Sequence, residues 1–371
     1  MSRDRGFAIP VDMIRTIAIV AVILLHAGND LTVQTMSSLE VYRWWTVDFY
    51  QSFGRVGVPL FVMLTGMLLL TPRKEPEGLE TFFKKRWVRV GLPFVFWVVV
   101  YFLWDFLVNG QAVTANFIIQ GVLSGPYYQF WYIYMLLGLY LLTPVLRVMV
   151  AHAERSVAKF SLLLWFVGTT ILPVVALLTP YHLDVNVLVI PTYVGYYVLG
   201  VYLISVKVKR SYLVALMALG IALTATFTYV LAATIGGPEM YYFQDYASAT
   251  MVLTSVSLFL LLVSYPASPK SSEASLDVSR ALTLHKPISS GGAGSFGKKL
   301  LHVISENTLA IYFFHLIVLE ILQKGFLGVA INGNTINSIV GVPLITVLTL
   351  FICLAVVVPL KRVPHLKRLL G

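Results

Sequence analysis

The chain has 371 residues, of which 58% are hydrophobic and only 12% charged. A soluble domain carries about twice that charged fraction, so composition excludes an ordinary water-soluble fold and points to a polytopic membrane protein. The net charge of +10 does not require nucleic acid as a partner, because the basic residues collect in loops on one side of the expected membrane.

Stretches near the roughly twenty residues that cross a bilayer fall at 10–28, 52–71, 88–108, 128–149, 159–178, 187–206, 211–235, 246–265, 302–323 and 337–360. They predict an all-α integral membrane protein with about ten transmembrane helices. The first stretch holds Arg15 and His26 and lacks a small-residue cleavage site, so it is expected to be a retained span rather than a signal peptide. Ten spans place both termini on one side together with 23 of the 27 Lys and Arg residues. Only Arg43, Arg55 and Lys324 fall opposite, and Arg15 lies within a span. The positive-inside rule then puts both termini in the cytoplasm of a multi-pass cell-membrane protein.

The first external loop, about 29–51, carries Trp44, Trp45, Asp48 and Tyr50, and the external loop near 236–246 is acidic and aromatic. Residues 266–298, with SSGGAGSFG inside, read as a flexible cytoplasmic linker. The linker separates an eight-span core, 1–265, from a final pair of spans and a basic tail, 299–371, packed with the core as one membrane domain. No internal repeat is visible. The single cysteine, Cys353, excludes an intramolecular disulfide and a Cys-based metal site.

Ionisable residues inside a span cost a few kcal/mol each and usually serve a pathway or a reaction. Arg15 and His26 are eleven residues apart, which returns to nearly the same helix face roughly 16 Å further along the axis. One groove is therefore expected to meet a cation near the cytoplasm and an imidazole deeper in. A neutral imidazole suits general-base chemistry near pH 7, although a histidine bonded to a backbone carbonyl for packing has the same appearance in sequence. Asp12 stands three residues before Arg15 and is expected to orient its guanidinium through an ion pair.

Arg86 and Arg89, spaced i, i+3 in KKRWVRVGLP, offer two guanidinium forks suited to phosphate oxygens. The competing reading is simple positive-inside anchoring. His315 is a second intramembrane histidine, and Glu306 precedes it by nine residues, half a turn out of phase. The two cannot share a face, so one is expected at the site and the other in packing or a loop contact. The aromatic run from Tyr127 to Tyr134 reads as an interfacial belt, with a sugar-stacking platform at Trp131 as the minority reading. Scattered histidines without paired carboxylates argue against a metal.

Together these pieces resemble the membrane-bound acyltransferase family 3, which O-acylates surface glycans and other exported molecules. Asp12, Arg15 and His26 match its D-x-x-R opening and R-x10-H spacing, and Arg86 and Arg89 match its R-x-x-R. VGVPLFVMLTGMLL matches the second-span pattern at Pro59, Phe61, Thr65 and Gly66. FWYIYMLLGLYLLTPVL and ENTLAIYFFHLIVL resemble the fourth-span and late histidine motifs. Two features depart from the pattern. Thr65 replaces the common serine, keeping a hydroxyl but stiffening the side chain. The chain also ends at Gly371 without the esterase-like domain of some relatives, so an acceptor is expected to meet the membrane core or a separate protein.

The resemblance implies transfer of an acyl group, taken as acetyl, from cytoplasmic acyl-CoA to a hydroxyl of an extracytoplasmic or membrane-embedded acceptor such as a glycan or glycolipid. Arg15, Arg86 and Arg89 would hold the donor, here acetyl-CoA as co-substrate. His26, with Glu306 and His315 as further candidates, would carry the chemistry, and Thr65 and Trp131 would contact substrate. Partners are then acyl-CoA, a sugar or other hydroxyl-bearing acceptor and membrane lipid, with no metal and no nucleic acid. Direct transfer and an acyl-histidine intermediate both fit. A transporter and an accessory subunit of an envelope-polymer machine are the readings from other classes.

Overall fold

The computed structural model describes residues 9–28, 41–72, 77–112, 114–179, 191–264, 293–326, 328–332 and 335–371. Every regular element among them is helical. In chain order these are α1 (Ile9–Ala27), α2 (Val41–Gly54), α3 (Gly57–Leu70), α4 (Leu79–Leu107), α5 (Ala115–Ser124), α6 (Phe130–His152), α7 (Arg155–Leu178), α8 (Thr192–Ser205), α9 (Arg210–Thr234), α10 (Ala249–Val263), α11 (Ala293–Gln323), α12 (Ser338–Leu360) and α13 (Pro364–Leu370). The linker expected at 266–298 lies outside the described residues up to 292, and residues 293–298 form the start of α11.

Nine apolar helical stretches among the described residues are long enough to cross a membrane. The sixth expected span differs. Its described part, α8, holds 14 residues from Thr192 to Ser205, or roughly 21 Å of helix. It packs against α3 at a crossing where two glycines bring backbones together. A Cβ on Gly66 would lie 1.8 Å from the Tyr197 carbonyl oxygen, and one on Gly200 would lie 1.9 Å from that of Met63. With no hydrophobic drive between helices in lipid, such small-residue contacts do much of the packing.

The lipid-exposed faces keep helical spacing. Val95, Val99 and Leu103 on α4, and Leu141, Val145 and Val148 on α6, are exposed apolar rows. The interior is built on α1 and α11, which run parallel: the Thr16 hydroxyl donates to the Leu301 carbonyl (3.3 Å), and the Gln323 amide donates to that of Ala27 (3.2 Å). This register, which joins distant parts of the chain, places the site.

α4 and α7 each contain one π-helical turn, Trp87–Gly91 and Val167–Ile171. Each is followed at once by a proline, Pro93 and Pro173. Proline has no N–H to close the regular i→i−4 ladder, and a widened turn accommodates the missing bond.

Candidate active site

At the end of the bundle where α1 begins, three helices deliver cations to one place. Arg15 comes from α1, Arg86 and Arg89 from α4, and Arg147 from α6. The buried phenol of Tyr140 lies within electrostatic reach of Arg15, Arg86 and Arg89. Arg86 and Arg147 each hold a guanidinium carbon 4.6 Å from the ring centre of the fully buried Phe82. Glu77 bridges them, 3.9 Å from Arg86 and 3.6 Å from Arg147. The Arg147 Nε also donates to the Leu69 carbonyl at 2.7 Å. Arg86 and Arg89 do not share an uninterrupted α-helical face, because Arg89 sits inside the π turn that begins just after Arg86.

Asp12 is not paired with Arg15. Its carboxylate lies 3.1 Å from the Nδ1 of His302, whose Nε2 is 3.4 Å from Glu306. α11 crosses α1 at this level and brings an imidazole closer to the carboxylate than the guanidinium one turn away, so Asp12 acts on Arg15 only through space. Glu306, with its side chain 57% exposed, also belongs to this basic end, at a distance from the intramembrane histidines. Lys361, just past α12, donates to the Glu306 carbonyl at 3.4 Å. Burial lowers its ammonium to about 8, against the opposing pull of Glu306.

Roughly three turns along α1, the imidazole of His26 meets that of His315 from α11, with ring centres 5.3 Å apart and planes tilted by 30°. The edge of Tyr128 closes a third side at 5.1 Å. His26 keeps some exposed surface, whereas His315 is fully buried. The Nδ1 of His315 lies 2.6 Å from the Tyr312 carbonyl, which can only accept, so Nδ1 carries the proton. Its Nε2 is then a lone pair, buried and without a hydrogen-bond partner. The turn bearing Tyr128 is tied down on both sides. Tyr127 donates to Asp105 (3.0 Å) and to Glu320 (3.1 Å), alternatives for one hydroxyl proton. Tyr312 donates to the Gln129 carbonyl at 2.7 Å. Burial and the two carboxylates push the Tyr127 phenol well above its ordinary range.

Between the two ends lies about 16 Å of continuous helix, with a cluster of guanidinium groups at one end and the imidazole pair at the other. A family model described as an acyltransferase domain, that of acyltransferase family 3, matches residues 10–358. The chain belongs to this acyltransferase family. Comparison with curated proteins found no match, and comparison with solved structures found none.

In this acyltransferase the residues expected from sequence separate into two groups. Arg15, Arg86, Arg89, Asp12 and Glu306 gather at the basic end, and His26 and His315 face each other. Trp131 extends from the histidine end, packing at a tilt against Tyr193 (5.6 Å) and Tyr246 (5.7 Å). Thr65 donates to the Phe61 carbonyl at 2.7 Å, which leaves its hydroxyl free only to accept. Sequence reading missed Tyr140 and Arg147 at the basic end, His302 as the partner of Asp12, and Tyr128 beside His26. Tyr140 and Arg147 were accessible in principle, since seven residues on a helix return to one face. Among the described residues no group of three or more His, Cys, Asp or Glu side chains is placed to hold a metal.

Proposed function

We propose that this acyltransferase moves an acyl group, in the first instance acetyl, from cytoplasmic acyl-CoA to a hydroxyl of an acceptor at the outer half of the membrane, a glycan or glycolipid. One observation carries the reading: Arg15 and His26 stand on one helix about 16 Å apart, with Arg86 and Arg89 converging on the first and His315 facing the second. Arg15, Arg86 and Arg89 bind the phosphates of the donor, with Arg147 fixed behind them. Forked guanidiniums suit phosphate oxygens. The pantetheine arm then runs along α1 and brings the thioester to His26.

There His26 accepts the proton of the acceptor hydroxyl as its oxygen attacks the thioester carbonyl. The C–S bond breaks, the ester forms, and the departing thiolate takes the proton from the imidazolium. The lone pair of His315 Nε2 supports His26 as it becomes charged.

The test is thermal melting of purified protein with acetyl-CoA, because a ligand that binds only the folded state stabilises it by mass action. Saturable stabilisation is expected for wild type, and its loss in Arg86→Ala/Arg89→Ala. If acetyl-CoA and longer acyl-CoA esters all leave the wild type unshifted, the donor reading fails.

A further inference from the structure

The cations of the basic end meet their carboxylates unequally. Glu77 engages two of them, lying 3.9 Å from Arg86 and 3.6 Å from Arg147. Arg15, on the helix that also carries His26, forms no ion pair among the described residues, although Asp12 stands one turn before it on α1. Side chains at i and i+3 on a helix are neighbours, and opposite charges at that spacing attract. Arg15 is also partly exposed, so a ligand can reach its guanidinium.

The reason for the missing pair lies on the facing helix. His302 of α11 stands between two carboxylates, with Nδ1 3.1 Å from Asp12 and Nε2 3.4 Å from Glu306. The same two carboxylates act on Arg15 through space. An ionised carboxylate only accepts, so the proton of the closer contact is carried by His302 Nδ1. The neighbouring bond from the Thr16 hydroxyl to the Leu301 carbonyl (3.3 Å) fixes the two helices at this level.

Asp12 is only 5% exposed, which leaves little room for water to replace a lost donor. A buried carboxylate without a partner is costly. Were His302 unable to donate, the Arg15 guanidinium, one turn along the same helix, would be the donor at hand. An Asp12–Arg15 pair would occupy the fork that suits a phosphate oxygen and place a negative charge beside it.

Resting on the donor reading above, we infer that His302 is a positioning residue for the acyl donor: by holding Asp12 it keeps the Arg15 guanidinium open to a phosphate oxygen.

Two readouts on the purified full-length protein test this. The first needs no ligand: modification of Arg15 by phenylglyoxal, a reagent for guanidinium groups not engaged by a carboxylate, is located by mass spectrometry. The second is the acetyl-CoA concentration that half-saturates the melting shift. In His302→Ala, Arg15 labelling is expected to fall several-fold. The half-saturating concentration is expected to rise about ten-fold or more, the size of one lost hydrogen bond to a charged group. His302→Ala/Asp12→Asn is expected to return both to wild-type values, a rescue that a merely structural role for His302 does not produce. His302→Gln, whose amide also donates, is expected to stay near wild type. If the alanine variant fails to fold, His302→Phe, which fills the space without donating, carries the same expectation.

Wild-type labelling and affinity in the variants without a donor overturn the inference. So does a double variant as impaired as His302→Ala, because His302 would then act by a route other than Asp12. If wild type itself ignores acetyl-CoA, the donor reading fails, and the labelling alone decides whether His302 holds Asp12 away from Arg15.

Discussion

The two imidazoles at the centre of the molecule are unequal, and the proposed reaction gives them different work. His315 is fully buried and its Nδ1 proton is committed to the Tyr312 carbonyl. His26 retains exposed surface through which a substrate can reach it. His26→Ala is therefore expected to lower turnover by about 10²–10⁴-fold, the usual worth of a general base, with the acetyl-CoA melting shift unchanged. His315→Asn preserves a donor for Tyr312 but removes the Nε2 lone pair. It is expected to cost about ten-fold or more, as for one hydrogen bond to a charged group, again without loss of donor binding. Wild-type turnover in a folded His26→Ala protein would remove His26 from the chemistry. The sequence singled out both histidines, yet their pairing was hidden in it, because contact depends on the parallel register of α1 and α11 across 289 positions. Asp12 shows the reverse error. Local spacing favoured Arg15 as its partner, and a tertiary contact with His302 won.

At the scale of elements, span positions were legible because long apolar runs are a strong signal, whereas their irregularities were not. The π turn in α4 separates Arg86 from Arg89 in a way that an i, i+3 count on a regular helix does not anticipate. Its cause, Pro93, was visible in the sequence, but a proline near a span start reads equally as a helix boundary. The crossing of α3 and α8 is a second such feature. In the sequence Gly66 reads only as part of a motif; its physical reason is the carbonyl of Tyr197 lying where a Cβ would sit. Neither backbone can yield as a flexible side chain would. Gly66→Ala and Gly200→Ala are each expected to destabilise the protein by roughly 1–3 kcal/mol, the range for overpacking a tight core, and to lower the melting temperature with and without acetyl-CoA. A melting temperature equal to wild type in both variants would show that the crossing is slack.

For the whole molecule the parity of the spans decides which chemistry faces which compartment. Nine long helices would leave the two ends of the chain on opposite faces, so the short α8 carries the decision. Its Tyr193 packs against Trp131 (5.6 Å) and Tyr246 (6.1 Å) at the histidine end. One turn later, Tyr197 shares a hydrogen bond with Thr143 (2.8 Å) and feels Arg147 and Arg86 of the basic cluster. α8 therefore heads from the histidine end toward the basic end, the direction that a tenth pass requires. The contacts among Asp12, His302, Glu306 and Lys361 bring the start of α1 and the end of α12 to one face, as that parity requires. The positive-inside rule predicts that this face is cytoplasmic, the compartment that supplies acyl-CoA in the proposed reaction. Cysteine labelling tests the assignment against little background, because Cys353 is buried. Val329→Cys, 69% exposed in the loop after α11, is expected to react with a membrane-impermeant maleimide in intact cells. Ala153→Cys, exposed between α6 and α7, is expected to react only after permeabilisation. The opposite pattern would place the arginine cluster outside, away from any cytoplasmic donor, and the direction of transfer would have to be reversed.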